Sequence, residues 1–124
     1  MKTNEPQHNP ENPSNDRLGL EDIVHLANKI GLELVNAKRE VEKLDLGKNT
    51  LRAQIITDLD DGTRSETKMK RLSEINPAYL EHMELLINAR AEYEKLRIRY
   101  DSYKNLFDAR RSLLSFQKAE MKLI

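Results

Sequence analysis

The sequence predicts an all-α fold: a long antiparallel helical hairpin or coiled coil, with a short helix between its arms and a disordered N-terminal tail. Three observations carry this. From Leu20 onward apolar residues recur in alternating steps of three and four. Only one internal segment, Thr57 to Thr63, is dense in residues that stop a helix. Charged residues make up 34% of the 124, with only 4 Gly and 4 Pro, a balance that suits exposed helices better than a thick-cored globule. That length is one domain's worth. The expected division is a tail over residues 1–17 and a helical domain over 18–124, with helices at about 18–57, 65–75 and 77–122.

The tail, MKTNEPQHNPENPSNDR, holds three of the four prolines, four asparagines and one hydrophobe, Met1. It cannot bury enough surface to offset the entropy of ordering. The first long helix then follows from the seam Leu20, Ile23, Ala27, Ile30, Leu34, Ala37, Val41, Leu44, Lys48, Leu51 and Ile55, which is polar only at Lys48, next to Gly47. Asn15 or Asp16 can cap its start, and Glu21 and Asp22 suit the positive end of the helix dipole.

Asp58, Asp60, Asp61 and Gly62 supply turn chemistry and end the helix. Ser65 can cap a short helix, and Asn76-Pro77 reads as a cap followed by proline in the first turn. No breaker follows. The last helix carries the seam on through Tyr79, His82, Leu86, Ala89, Tyr93, Leu96, Tyr100, Tyr103, Phe107, Arg110, Leu114, Gln117, Met121 and Ile124. Neither helix can bury such a stripe alone, so the two must pack on each other and on further copies, which predicts a homo-oligomer.

Composition narrows the function. Lys+Arg and Asp+Glu stand at 21 each, yet residues 1–19, 20–63 and 64–124 carry about −1, −3 and +4, so a polyanion would meet the second half. The chain has no cysteine, no signal-peptide pattern and no apolar span long enough for a membrane, which reads as a soluble, cytoplasmic protein with no membrane partner.

The run Thr57 to Arg71, TDLDDGTRSETKMKR, sets aspartates before the chain's last glycine and basic residues after it. A calcium loop starting at Asp58 would need an oxygen ligand where Gly62 stands and a glutamate where Met69 stands, so its spacing excludes an EF-hand. His8, His25 and His82 lack metal-site spacing, no serine lies in a nucleophile elbow, and no glycine-rich phosphate loop exists. No enzyme, metal or cofactor is expected.

The basic residues are more informative. Lys48 and Arg52 are helical neighbours near the end of the first long helix, and Arg64, Lys68, Lys70 and Arg71 follow the turn, so a fold-back should bring the two groups together. Arg90, Arg97, Lys104, Arg111 and Lys118 recur every seven residues beside the last seam. That row is either a solvated flank, with Glu94, Asp101 and Asp108 placed to pair with it, or a rail for phosphates. Tyr79, Tyr93, Tyr100, Tyr103 and Phe107 could stack bases, but all lie on seam positions, which favours core packing.

The helix ending in Leu51-Arg52-Ala53-Gln54-Ile55-Ile56, the acidic glycine turn, the basic Thr67-Lys68-Met69-Lys70 and the long helix with periodic tyrosines together resemble the UvsY-type recombination mediators of tailed phages, over roughly residues 35–124. The resemblance implies a helical, ring-forming oligomer in the host cell cytoplasm that binds single-stranded DNA and helps load a recombinase onto strands covered by a single-strand-binding protein. The family's basic pair falls in a segment like Leu51 to Ile55, where Arg52 keeps the first charge and Gln54 stands in place of the second. Two functions stay open: non-specific single-stranded DNA binding through Lys48, Arg52, Arg64, Lys68, Lys70 and Arg71, or a structural or adaptor coiled coil, chaperone-like or a virion component, acting only through protein contacts.

Overall fold

A computed structural model describes residues 19–123 and consists of three helices: α1, Leu20–Leu59; α2, Glu66–Glu74; and α3, Pro77–Leu123. The tail expected over residues 1–17 lies outside the described residues. The two long helices run antiparallel and pack against each other, α2 covers the end where they are joined, and no strand occurs among the described residues. At about 1.5 Å per residue α1 is roughly 60 Å long and α3 roughly 70 Å.

Each boundary has a local cause. α1 begins at Leu20, later than expected, and its N-cap is Gly19 rather than Asn15 or Asp16, which lie outside the described residues. Glycine offers no capping side chain, so only the reciprocal half of a capping box forms: the Gly19 amide donates to Asp22 Oδ2 at 3.3 Å. At the other end α1 runs two residues past the expected stop, to Leu59, whose carbonyl accepts from Arg64 Nη1 at 2.9 Å. That bond satisfies one of the carbonyls a helix end leaves without a partner.

The turn then closes through side-chain to backbone bonds. Asp60 Oδ1 accepts from the Gly62 amide at 3.0 Å, and Asp61 Oδ1 accepts from the Thr63 amide at 2.9 Å and its hydroxyl at 2.6 Å. The Thr63 hydroxyl, then its amide, hold the Asp61 carboxyl below its ordinary value of 3.8. A depressed carboxylate stabilises the fold above its unfolded value and loses that contribution as pH falls through the lower folded one. Gly62 sits at φ +81°, the left-handed region that costs a side-chain-bearing residue about 1–2 kcal/mol. Ser65 Oγ caps α2 by accepting from the Lys68 amide at 3.2 Å, and Asn76 Oδ1 accepts from the Ala78 amide at 2.9 Å ahead of α3. Both caps are the ones the sequence predicts.

Every α1 seam residue from Leu20 to Ile55 is buried or half-buried, as is every α3 seam residue from Tyr79 to Arg110. Rings on α3 meet small residues on α1. A Cβ added to Gly31 would lie 3.3 Å from Tyr100 Cε1, and one added to Gly47 would lie 3.1 Å from His82 Cε1. Glycine inside a helix costs about 1 kcal/mol against alanine, and here that cost admits the two rings at close range. These contacts, with Arg52 against Tyr79, fix one antiparallel register. α2 docks through Met69 and Ser73, both buried; the Ser73 hydroxyl donates to the Lys70 carbonyl at 2.7 Å, so its burial leaves no polar group unmade.

The seam outlasts its partner. α1 begins level with Phe107, and from Arg111 to Leu123 every α3 residue is exposed, including Leu113, Leu114, Phe116, Met121 and Leu123. About 20 Å of helix therefore projects beyond the hairpin.

Leu86 is 0% exposed and Leu123 is 87% exposed. Leu86→Ala should destabilise the protein by about 2–5 kcal/mol in urea unfolding, while Leu123→Ala should change stability by less than about 0.5 kcal/mol. Gly62→Ala should cost about 1–2 kcal/mol by the same measurement, because the turn cannot relax out of the left-handed region without losing its bonds from Asp60 and Asp61.

Candidate functional site

The six cations singled out in the sequence fall into three environments. Lys48 and Arg52 lie beside the α1–α3 interface, both half-buried. Lys48 leaves the seam sideways to pair with Asp45 at 3.3 Å, which resolves the burial of a charge in an apolar stripe by snorkelling. Asp45 also takes Arg90 from α3 at 3.4 Å, tying the two arms together. One turn further toward the tip, Arg52 Nη2 donates to Tyr79 Oη at 2.6 Å while its guanidinium carbon stands 5.3 Å from the centre of the same ring. Its Nε is buried without a hydrogen-bond partner. Beside Gly47, His82 Nε2 lies 2.6 Å from the Leu44 carbonyl, and since a carbonyl only accepts, Nε2 carries the proton.

Arg64 is engaged with the end of α1, as described, and its guanidinium remains exposed. Lys68, Lys70 and Arg71 stand on α2. With Met69 and Ser73 buried, a rotation of about 100° per residue puts Arg71 on the outer face, Lys68 beside it and Lys70 on the opposite flank. None of the three has a carboxylate within 4.0 Å among the described residues. Over residues 57–76 these four bases are offset by Asp58, Asp60, Asp61, Glu66 and Glu74, but three of the acids sit in or before the turn and two are committed to its bonds. No hydrogen bond or ion pair links Lys48 or Arg52 to the α2 group, so the expected convergence is not a single contact cluster.

The α3 row is exposed at all five positions. Its pairing differs from the expected i,i+4 pattern: Arg90 reaches across to Asp45, and Arg97 pairs back to Glu94 at 3.3 Å. Lys104 and Arg111 rest on rings instead, 5.6 Å from the Tyr100 centre and 5.9 Å from the Phe107 centre. Such contacts orient a cation without neutralising it.

A groove of about 210 Å³ lies between α1 and α3, lined by Ile23, Val24, Ala27, Tyr103, Lys104 and Phe107 among others. That is smaller than the 300–1,000 Å³ usual for small-molecule sites. Among the described residues no three His, Asp or Glu come together in a way that could hold a metal ion, and no helix is long and apolar enough to cross a membrane. Fold and surface define an all-helical, elongated hairpin protein with its charges arranged in rows. No protein-family model matches the chain, and searches of curated proteins and of solved structures each found no match.

Sequence reasoning missed Tyr79 as the partner of Arg52, and Asp45 as the shared partner of Lys48 and Arg90. Tyr79→Phe should cost about 1–2 kcal/mol in urea unfolding, since it removes the acceptor of a half-buried guanidinium. In an Arg52→Met background the same change should cost less, and an equal cost in both backgrounds would show that the hydroxyl does not act through Arg52.

Proposed function

We propose that this protein binds single-stranded DNA without sequence preference and acts as an accessory in recombination or replication, in the manner of the UvsY-type mediators it resembles. The observation that carries the reading is the α2 surface. Lys68, Lys70 and Arg71 are exposed on α2 with no acidic side chain within ion-pair distance among the described residues, and Arg64 lies at the same end. Cations held on a rigid element without a carboxylate partner suit phosphates, which position a strand and do not read its bases. Arg52, drawn onto Tyr79 on the helix pair, adds positive charge with no ion pair among the described residues. A recombinase and a single-strand-binding protein are the partners this reading implies, with the protein working as a homo-oligomer.

The second reading, a structural or adaptor protein working only through protein contacts, is favoured by a different feature: the uncovered apolar side chains of α3 beyond Arg111. Exposed apolar patches of that kind mark contact surfaces. Fluorescence anisotropy with labelled oligo-dT separates the two. Submicromolar binding that weakens steeply with salt is the expected result, and the triple variant Lys68→Gln, Lys70→Gln, Arg71→Gln should bind at least about tenfold more weakly. No binding at low salt by an intact, helical protein would leave the adaptor reading standing.

A further inference from the structure

The α3 cation row changes character along its length, and the change coincides with the end of α1. Arg90 and Arg97 are answered by carboxylates, Asp45 across the hairpin and Glu94 on α3. Lys104 and Arg111 are held over Tyr100 and Phe107, with no ion pair among the described residues. Lys118 follows on the projecting end. The acidic row that flanks the cations, Glu94, Asp101 and Asp108, gives way at the same seven-residue spacing to Ser115 and Lys122.

At about 100° per residue, Arg111, Lys118 and Lys122 fall within roughly 40° of one another, while Leu113, Phe116 and Leu123 lie on the opposite side. Lys104, Arg111 and Lys118 stand about 10.5 Å apart along the axis, and Lys122 about 6 Å beyond Lys118. Over residues 104–123 the chain carries five basic groups, Lys104, Arg110, Arg111, Lys118 and Lys122, against Asp108 and Glu120. This stretch has a positive excess, whereas the tip, with four bases and five acids over residues 57–76, has none.

We propose that the edge of α3 formed by Lys104, Arg111, Lys118 and Lys122 is a second contact surface for the phosphate backbone of single-stranded nucleic acid. The inference rests on the single-stranded DNA reading above and extends it from the tip to the far end of the rod. A flexible strand can follow a straight row of cations, whereas an acidic protein would need a complementary row at the same spacing. The guanidinium of Arg111, seated on Phe107, also offers a flat face on which a base can stack. Each phosphate met by one of these cations releases counterions, so the row sets part of the salt dependence: a slope of about −0.7 for each contact on a single strand.

The test is an oligo-dT anisotropy series from low to high salt on three proteins: the natural chain, the variant Arg111→Gln, Lys118→Gln, Lys122→Gln, and the α2 triple variant. All three substitutions on α3 lie on exposed side chains beyond the end of α1, and circular dichroism checks that helix content is unchanged. The expected result is at least about a tenfold loss of affinity at low salt and a slope shallower by about 2 in the α3 variant. Unchanged affinity and slope in that variant, with binding lost only in the α2 variant, would overturn the α3 surface and leave DNA binding at the tip intact. No binding by the natural chain would overturn both. If the α3 variant instead keeps DNA binding but loses binding to vesicles of anionic lipid or to polyglutamate, the surface serves another anion and the proposal fails.

Discussion

Everything in this molecule depends on the pairing of two helices that are each unable to bury their apolar stripe alone. The solution is an antiparallel register in which rings on one arm enter where the other has almost no side chain. Gly31 admits Tyr100 and Gly47 admits His82. Both glycines weaken α1 as an isolated helix, so the cost is tolerable only because the two arms approach closely there. A shift of the pairing by one heptad would set Tyr100 against Val24 or Lys38 and His82 against Glu40 or Gln54, and this mismatch selects the register observed.

That register also decides which charges remain available. Toward the tip the seam turns polar: Arg52 bonds Tyr79 and His82 meets the Leu44 carbonyl across the hairpin, while Lys48 pairs with Asp45 within α1. Their positive charge stabilises the joined end more than it advertises a surface. Further out, α2 exposes cations because its own buried face needs only Met69, Ser73 and part of Leu72. On α3 the cations near the tip find carboxylates, and those near the free end find rings or solvent. The availability of a cation is thus a consequence of how far α1 reaches along α3.

Much of this was legible in the sequence. The steps of three and four locate every buried position on α1, the aspartates and Gly62 mark the reversal, and Ser65 and Asn76-Pro77 mark the helix starts, because each depends on residues within a few positions of one another. What escaped was long-range. The bond between Arg52 and Tyr79 and the double role of Asp45 follow only once the seam is folded about the turn, since the partners lie 27 and 45 residues apart. The sequence also carries the seam on to Ile124 without indicating that α1 stops opposite Phe107, so the exposure of Leu114, Gln117 and Met121 could not be read from periodicity. The unequal length of the arms, set by where the tail's prolines and asparagines give way to Leu20, creates that projecting end.

The register, the polar tip and the free end of α3 all require the two arms to pair within one chain. Because the chain contains no cysteine, spin labels on Asp45→Cys and Arg90→Cys report that pairing without ambiguity. The protein would be unfolded, mixed with a large excess of unlabelled chain, and refolded before the distance is measured by pulsed electron resonance. A short distance that survives dilution, consistent with helix axes about 8–10 Å apart, is the predicted result. A short distance that disappears on dilution would mean that α1 and α3 pair between chains, and would contradict the hairpin on which the register, the polar tip and the free end of α3 all rest.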